Sequence, residues 1–239
     1  MPAHKGTIWV TGASSGIGKE VAKEFARIGC KVYASARRAN LIDLVNRELE
    51  AEGCKNLLEV IPCNVASESN VDTAVKKIIA NNKIDCLVNN AGITSFKLAI
   101  DNSINEIKDI INTNLLGAIY TIKGVLPYMI DNGGGTIINI ISVVAKKVFT
   151  NSSAYSASKA GLLAYTNVLR EEVRDKNIKV VNVLPGATNT NIWPDKVKDK
   201  YFPKMMEPVD IAQIIVSIYL QGPKLVTEEI TLRPITGDL

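Results

Sequence analysis

Short apolar runs alternate with amphipathic stretches along almost the entire chain, and this alternation most restricts the folds open to it. Strand patterns fall at Thr7–Thr11, Lys31–Ser35, Leu57–Pro62, Ile84–Asn89, Thr136–Ile141, Lys179–Leu184 and Glu229–Leu232. Helical periodicity fills the gaps at Ile17–Ile28, Leu41–Glu52, Val71–Asn81, Ile104–Ile130, Ala154–Asp175 and Val209–Tyr219. A buried strand followed by an amphipathic helix is the repeating unit of a parallel sheet with crossover connections. Gly29, Gly53 and the run Gly133-Gly134-Gly135 mark helix ends and turns. The expectation is one doubly wound α/β domain over residues 1–239, with a seven-stranded parallel sheet and helices on both faces. Residues 187–207 resist assignment, and an unassigned stretch of that length predicts a lid over a substrate.

Composition removes several classes of function. Apolar residues make up 46% and charged residues 22%, the balance of a soluble globular protein, and no apolar run approaches a membrane span. The opening residues, Met1 to Gly6, lead directly into the first strand and leave no room for a signal peptide, so the expected compartment is the cytosol. The single histidine, His4, argues against a Ser-His-Asp hydrolase and against a histidine-bound zinc. Cys30, Cys54, Cys63 and Cys86 lack metal-like spacing and read as reduced, mostly buried fillers. The net charge of +4 is dispersed, and its densest cluster, Lys196, Lys198, Lys200 and Lys204, reads as a solvated face and not a nucleic-acid stripe.

Chemistry enters at the first strand-to-helix turn, Thr11-Gly-Ala-Ser-Ser-Gly-Ile-Gly18. Gly12, Gly16 and Gly18 leave the backbone bare, so that a pyrophosphate can reach amide groups and a helix N-terminus. A site for NAD commonly places a carboxylate on the following strand to bind the ribose hydroxyls. Here Tyr33-Ala-Ser-Ala-Arg-Arg38 puts Ala36 in that slot, with Arg37 and Arg38 after it. Arginine forks match a 2′-phosphate bidentately, so the pattern favours NADP(H).

A second constellation is Ser142, Tyr155 and Lys159. A phenol is a poor acid-base group near neutrality unless a cation stabilises its anion. A spacing of four along a helix puts Tyr155 and Lys159 on one face, where lysine supplies the cation. The set points to hydride chemistry on a carbonyl or an alcohol.

With these motifs the chain resembles the short-chain dehydrogenase/reductase family, of the compact Rossmann-fold type. The resemblance covers essentially the whole chain, through Thr11–Gly18, Asn89-Asn-Ala-Gly92, Asn114-Leu-Leu-Gly117, Ser142, Tyr155-Ser-Ala-Ser-Lys159 and Pro185-Gly186. It implies Tyr155 as general acid or base, and Lys159 lowering the tyrosine pKa and holding the nicotinamide ribose. Ser142 would polarise the substrate oxygen, and Asn114 would complete a water-linked proton path. It also implies cofactor contacts from Ser14, Ser15 and Ile17 at the phosphate turn, and from Asn90, Ala91 and Gly92 along the adenosine half. Thr188 and Thr190, after Pro185-Gly186, would hold the carboxamide. Relatives carry an aspartate-valine pair where this chain has Asn64-Val65, so the adenine contact keeps an acceptor but loses a charge.

The substrate wall is expected from Thr94, Val143, Val144, Phe149, Trp193 and Phe202. Hydrophobic ketones, small alcohols and 3-oxoacyl substrates all stay open, as does the alternative of a non-catalytic NADP(H) sensor. The resemblance implies a homodimer or homotetramer built on the two long helices, with Leu115, Leu116, Leu162 and Leu163 serving either that interface or the core. No metal is expected.

Overall fold

The computed structural model of the chain describes residues 6–80 and 82–238, so His4 and Asn81 lie outside the described residues. Seven strands form one all-parallel sheet: β1 (Thr7–Thr11), β2 (Lys31–Ala36), β3 (Leu58–Pro62), β4 (Cys86–Asn89), β5 (Gly135–Ile140), β6 (Ile178–Pro185) and β7 (Glu229–Leu232). Their spatial order is β3-β2-β1-β4-β5-β6-β7. The chain runs outward from β1 to β3, then crosses back to place β4 on the other side of β1. A sheet that reverses direction in this way opens a crevice at the carboxyl ends of the two strands flanking the switch.

The helices are α1 (Gly16–Arg27), α2 (Asn40–Ala51), α3 (Glu68–Ile79), α4 (Ile104–Ile111), α5 (Gly117–Asp131), α6 (Ser153–Val173), α7 (Asp195–Tyr201) and α8 (Pro208–Tyr219). One face of the sheet packs α1, α2 and α8 over Ile8, Val10, Val32 and Val183. The other packs α3, α5 and α6 over Trp9, Leu87, Ile137 and Val180. Central strands buried on both faces explain why their sequences are nearly continuous apolar runs instead of alternating ones. Helix starts carry their own signals. Ser103 and Glu106 form a reciprocal capping box on α4, and the Ser67 hydroxyl accepts from the Asn70 amide at the start of α3.

The helix predicted over Ile104–Ile130 runs without a gap but contains one wide π turn at Asn112–Leu116, between α4 and α5. The stretch 187–207, left unassigned from the sequence, contains α7, and its Thr188 pairs with Met206 in an isolated parallel bridge. Among the described residues no helix is long and apolar enough to cross a membrane.

Candidate active site

A cavity of about 630 Å³ opens at the carboxyl ends of β1, β4, β5 and β6. At one end lies the glycine turn. Gly12 has φ +67°, and a Cβ there would come within 2.8 Å of the Ala91 Cα. Gly18 has ordinary helical backbone but no room: a Cβ would strike Asn90 Nδ2 and lie 2.5 Å from the Gly12 carbonyl. Asn90 causes this crowding because its Nδ2 donates to the carbonyls of Thr11 (3.0 Å) and Gly12 (3.1 Å). Asn90 therefore braces the turn from behind. The Thr11 hydroxyl accepts from the amides of Asn90 and Ala91, fixing the same junction.

The α1 N-terminus meets the cavity without a side-chain cap and without an acid in its first turn. Ser14, Ser15, Gly16 and Ile17 line the wall there. Uncapped first-turn amides carry the positive end of the helix dipole and suit an anion. Arg37 and Arg38 follow at the rim, exposed, and among the described residues their side chains make no ion pair or hydrogen bond. Ala36, Asn64 and Val65 complete this end. The Asn64 Oδ1 already accepts from the Ala66 amide (3.3 Å). These features fit a phosphate-bearing dinucleotide.

Across the cavity, Ser142, Tyr155 and Lys159 share one wall. Ser142 follows β5, and its Oγ accepts from the Val144 amide (3.3 Å). The Ser142 side chain also hydrogen-bonds with that of Tyr155. Lys159 is buried, its Nζ 5.9 Å from the Tyr155 ring centroid and donating to the Ile140 carbonyl (2.6 Å). Desolvation pushes the Tyr155 hydroxyl up to about 12, opposed by the Ser142 hydrogen bond, and pulls Lys159 down to about 8. Both groups are buried together, and desolvation is the largest cause of each shift.

Gly92, Thr94, Val143, Val144, Phe149, Pro185, Gly186, Thr188, Thr190 and Trp193 also line the cavity where the sequence placed them. Three predicted residues stand off the wall. Gly18 supports the turn, Asn114 is 1% exposed behind Ile93, and Phe202 is half-exposed outside the cavity. Tyr201 takes the inner place, one turn after Val197 on α7, a spacing visible in the sequence. Thr188 donates to the Gly186 carbonyl (3.1 Å), whereas the Thr190 hydroxyl accepts from Ile192 and keeps its proton.

Sequence reading also missed Phe96, Thr113, Ser152 and Asp238 on the wall. Phe96 stacks on Trp193 with ring centroids 4.9 Å apart, joining the stretch 187–207 to the segment after β4. Asp238 bridges Lys147 Nζ (2.9 Å) and Arg233 Nε (2.9 Å). Neither contact has a local signal.

Among protein-family models, that described as short chain dehydrogenase matches residues 6–201. Sepiapterin reductase of Chlorobaculum tepidum is 35% identical over 98% of both chains. Dehydrogenase/reductase SDR family member 7 of Mus musculus is 34% identical over 85% of this chain and 61% of its own length. A metagenomic short-chain oxidoreductase solved in complex with NADP superposes with a TM-score of 0.84, at 29% identity and 96% coverage of each chain. An alcohol dehydrogenase from Thermococcus sibiricus, complexed with 5-hydroxy-NADP, gives 0.88 at 25% identity and 99% coverage of each.

Proposed function

The chain belongs to the short-chain dehydrogenase family and is an oxidoreductase of that family; from that premise we propose that it is an NADP(H)-dependent carbonyl reductase or alcohol dehydrogenase. The observation that carries the reading is the convergence of Ser142, Tyr155 and Lys159 on one wall of the cavity that begins at the glycine turn. NADP(H) rather than NAD(H) is supported by Arg37 and Arg38 at the rim, by Ala36 in place of an acid, and by the NADP in the metagenomic relative.

When bound, the nicotinamide supplies or takes up the hydride. In reduction the Tyr155 hydroxyl donates its proton to the forming alkoxide, and in oxidation it receives one. The Val144 amide occupies one lone pair of Ser142 Oγ, and its hydroxyl proton, directed at Tyr155 in the free protein, would turn to the substrate oxygen. Lys159 supplies the buried positive charge that favours proton loss from Tyr155 as negative charge develops. The substrate end, with Val143, Val144, Phe149, Val197 and Tyr201, suits an apolar or aromatic ketone. A sensor that only held the nucleotide would not need this set. None of the four cysteines is in a disulfide, which suits a cytoplasmic setting.

Assembly as a homodimer or homotetramer would use the outer faces of α5 and α6. Leu162 and Leu163 are buried within the chain, so the exposed Val168 is a better interface candidate. The test of the activity is NADPH and NADH oxidation against a ketone panel that includes sepiapterin, with Tyr155→Phe beside the parent. We expect turnover with NADPH, and a loss on the order of 10²–10⁴-fold in kcat for the variant with NADPH binding retained. Full turnover by Tyr155→Phe would falsify the assigned acid.

A further inference from the structure

We propose that Ser158 is a positioning residue for proton transfer, locking the π turn at Asn114 to the helix that carries Tyr155 and Lys159. The proposal rests on the functional reading of Tyr155 and Lys159 above. Ser158 is fully buried in α6, one residue before Lys159. A hydroxyl has one proton to give, and this one goes back to the Tyr155 carbonyl (2.7 Å). Its lone pair receives Asn114 Nδ2 (3.0 Å). The same Nδ2 donates its other proton to the Ile93 carbonyl (2.8 Å), while Asn114 Oδ1 accepts from the Ile93 amide (2.8 Å).

Every polar atom of the Asn114 amide is thus engaged, and Ser158 is its side-chain partner. Four hydrogen bonds, two of them paired between Asn114 and Ile93, join the backbone of Tyr155, the π turn and the loop after β4. That loop touches the site. A Cβ on Gly92 would lie 3.4 Å from Asn114 Oδ1 and 3.7 Å from Lys159 Nζ, so the amide and the ammonium flank one residue. A shift of Asn114 moves the wall beside the ammonium.

Helix propensity offers no reason for a serine here, since alanine is the better helix former and fits a buried site. The Ser158 hydroxyl instead returns to the carbonyl of Tyr155, three residues back, and so ties the clamp to the residue that carries the phenol. The π turn follows from the same clamp, because the wide turn aims Asn114 at Ile93 and Ser158 simultaneously.

The experiment compares purified Ser158→Ala with the parent and with Ser156→Ala, a control on the same helix whose hydroxyl contacts only that of Ser152. The readouts are NADPH affinity by fluorescence, the pH profile of kcat, thermal stability, and hydrogen exchange of the Ile93 amide. Expected for Ser158→Ala are NADPH affinity within about twofold of the parent and kcat lower on the order of tenfold. Its alkaline limb should be displaced, and the Ile93 amide should exchange at least roughly tenfold faster. Ser156→Ala should change none of these. Parental kcat, pH limb and Ile93 exchange in Ser158→Ala would overturn the proposal. So would parallel losses of stability, NADPH affinity and kcat, the pattern of a plain packing residue. Should Ser158→Ala not fold, Ser158→Cys, with its weaker donor, gives the same comparison. A parent that turns over no carbonyl counts against the functional reading alone, and Ile93 exchange then decides the clamp.

Discussion

Lys159 places an ammonium where only 4% of the residue reaches solvent, with the Ile140 carbonyl as its hydrogen-bond partner. Burial lowers its pKa from 10.5 to about 8, so between those values the unfolded chain holds more protons than the folded one. Stability contributed at this site therefore rises with pH across that window, and below about 8 the buried charge is a standing cost. At 1.36 kcal/mol per pKa unit the cost is about 3 kcal/mol. Lys159→Met removes it but leaves the Ile140 carbonyl without its donor, which returns about 1–2 kcal/mol. We expect the cofactor-free variant to melt a few degrees above the parent at pH 7, with the gap closing toward pH 10, and to lose turnover. Calorimetry across pH checks the stability; a variant less stable than the parent at pH 7 would contradict the assigned burial cost. The same lysine sets the activity profile. Tyr155 keeps its proton to about 12, so kcat/KM for reduction should decline above pH about 8, where the free enzyme loses the Lys159 charge.

At the scale of elements, the turn from β1 into α1 shows how tightly sequence and site are joined. Alanine in place of glycine inside a helix ordinarily stabilises by roughly 1 kcal/mol. Gly18→Ala should do the reverse, since its Cβ meets Asn90 Nδ2 and the Gly12 carbonyl, and the brace beneath the turn must open. Expected are a destabilisation of about 2 kcal/mol or more and NADPH binding weakened at least tenfold, read by melting and by titration. A neutral Gly18→Ala would mean that Asn90 does not hold the turn. This junction was legible in the residues, as was β1, because glycine spacing and apolar runs are local signals. The π turn between α4 and α5 was not. Residues 104–130 have continuous helical periodicity, and what opens the π turn is the grip of Ile93 and Ser158 on Asn114, 21 and 44 residues away. Gly117 has a similarly distant reason, for a Cβ there would lie 2.8 Å from Val65 Cγ2. The stretch 187–207 was left without a helix assignment, and so Phe202 was chosen where the period of α7 brings Val197 and Tyr201 inward. Asp238 was out of reach, since only tertiary structure carries it to Lys147.

Over the whole molecule, the two ends of the cavity belong to different parts of the sheet, and an asparagine row helps to join them. Asn89, Asn139 and Asn182 occupy one register across β4, β5 and β6. Asn89 Nδ2 donates to Asn139 Oδ1 (3.1 Å), and Asn139 Nδ2 donates to Asn182 Oδ1 (3.3 Å). Thr121 of α5 and Thr166 of α6 donate to Asn89 and Asn182, so two helices are tied to the same row. All five residues are buried, where an unpaired amide costs about 1–3 kcal/mol. A row of this kind adds little net stability over apolar packing, but it penalises any slip of register, because a shifted strand strands its amide in the core. Asn139→Ala or Asn182→Ala alone should therefore destabilise by about 2–4 kcal/mol, since each leaves a buried partner unsatisfied and opens a void. The double variant should cost less than the sum of the two by about 1 kcal/mol or more, because the second change removes a group the first had already orphaned. Denaturant melts of the four proteins in that cycle measure the coupling, and strict additivity would show that the row is three separate amides and not a key between the two ends of the cavity.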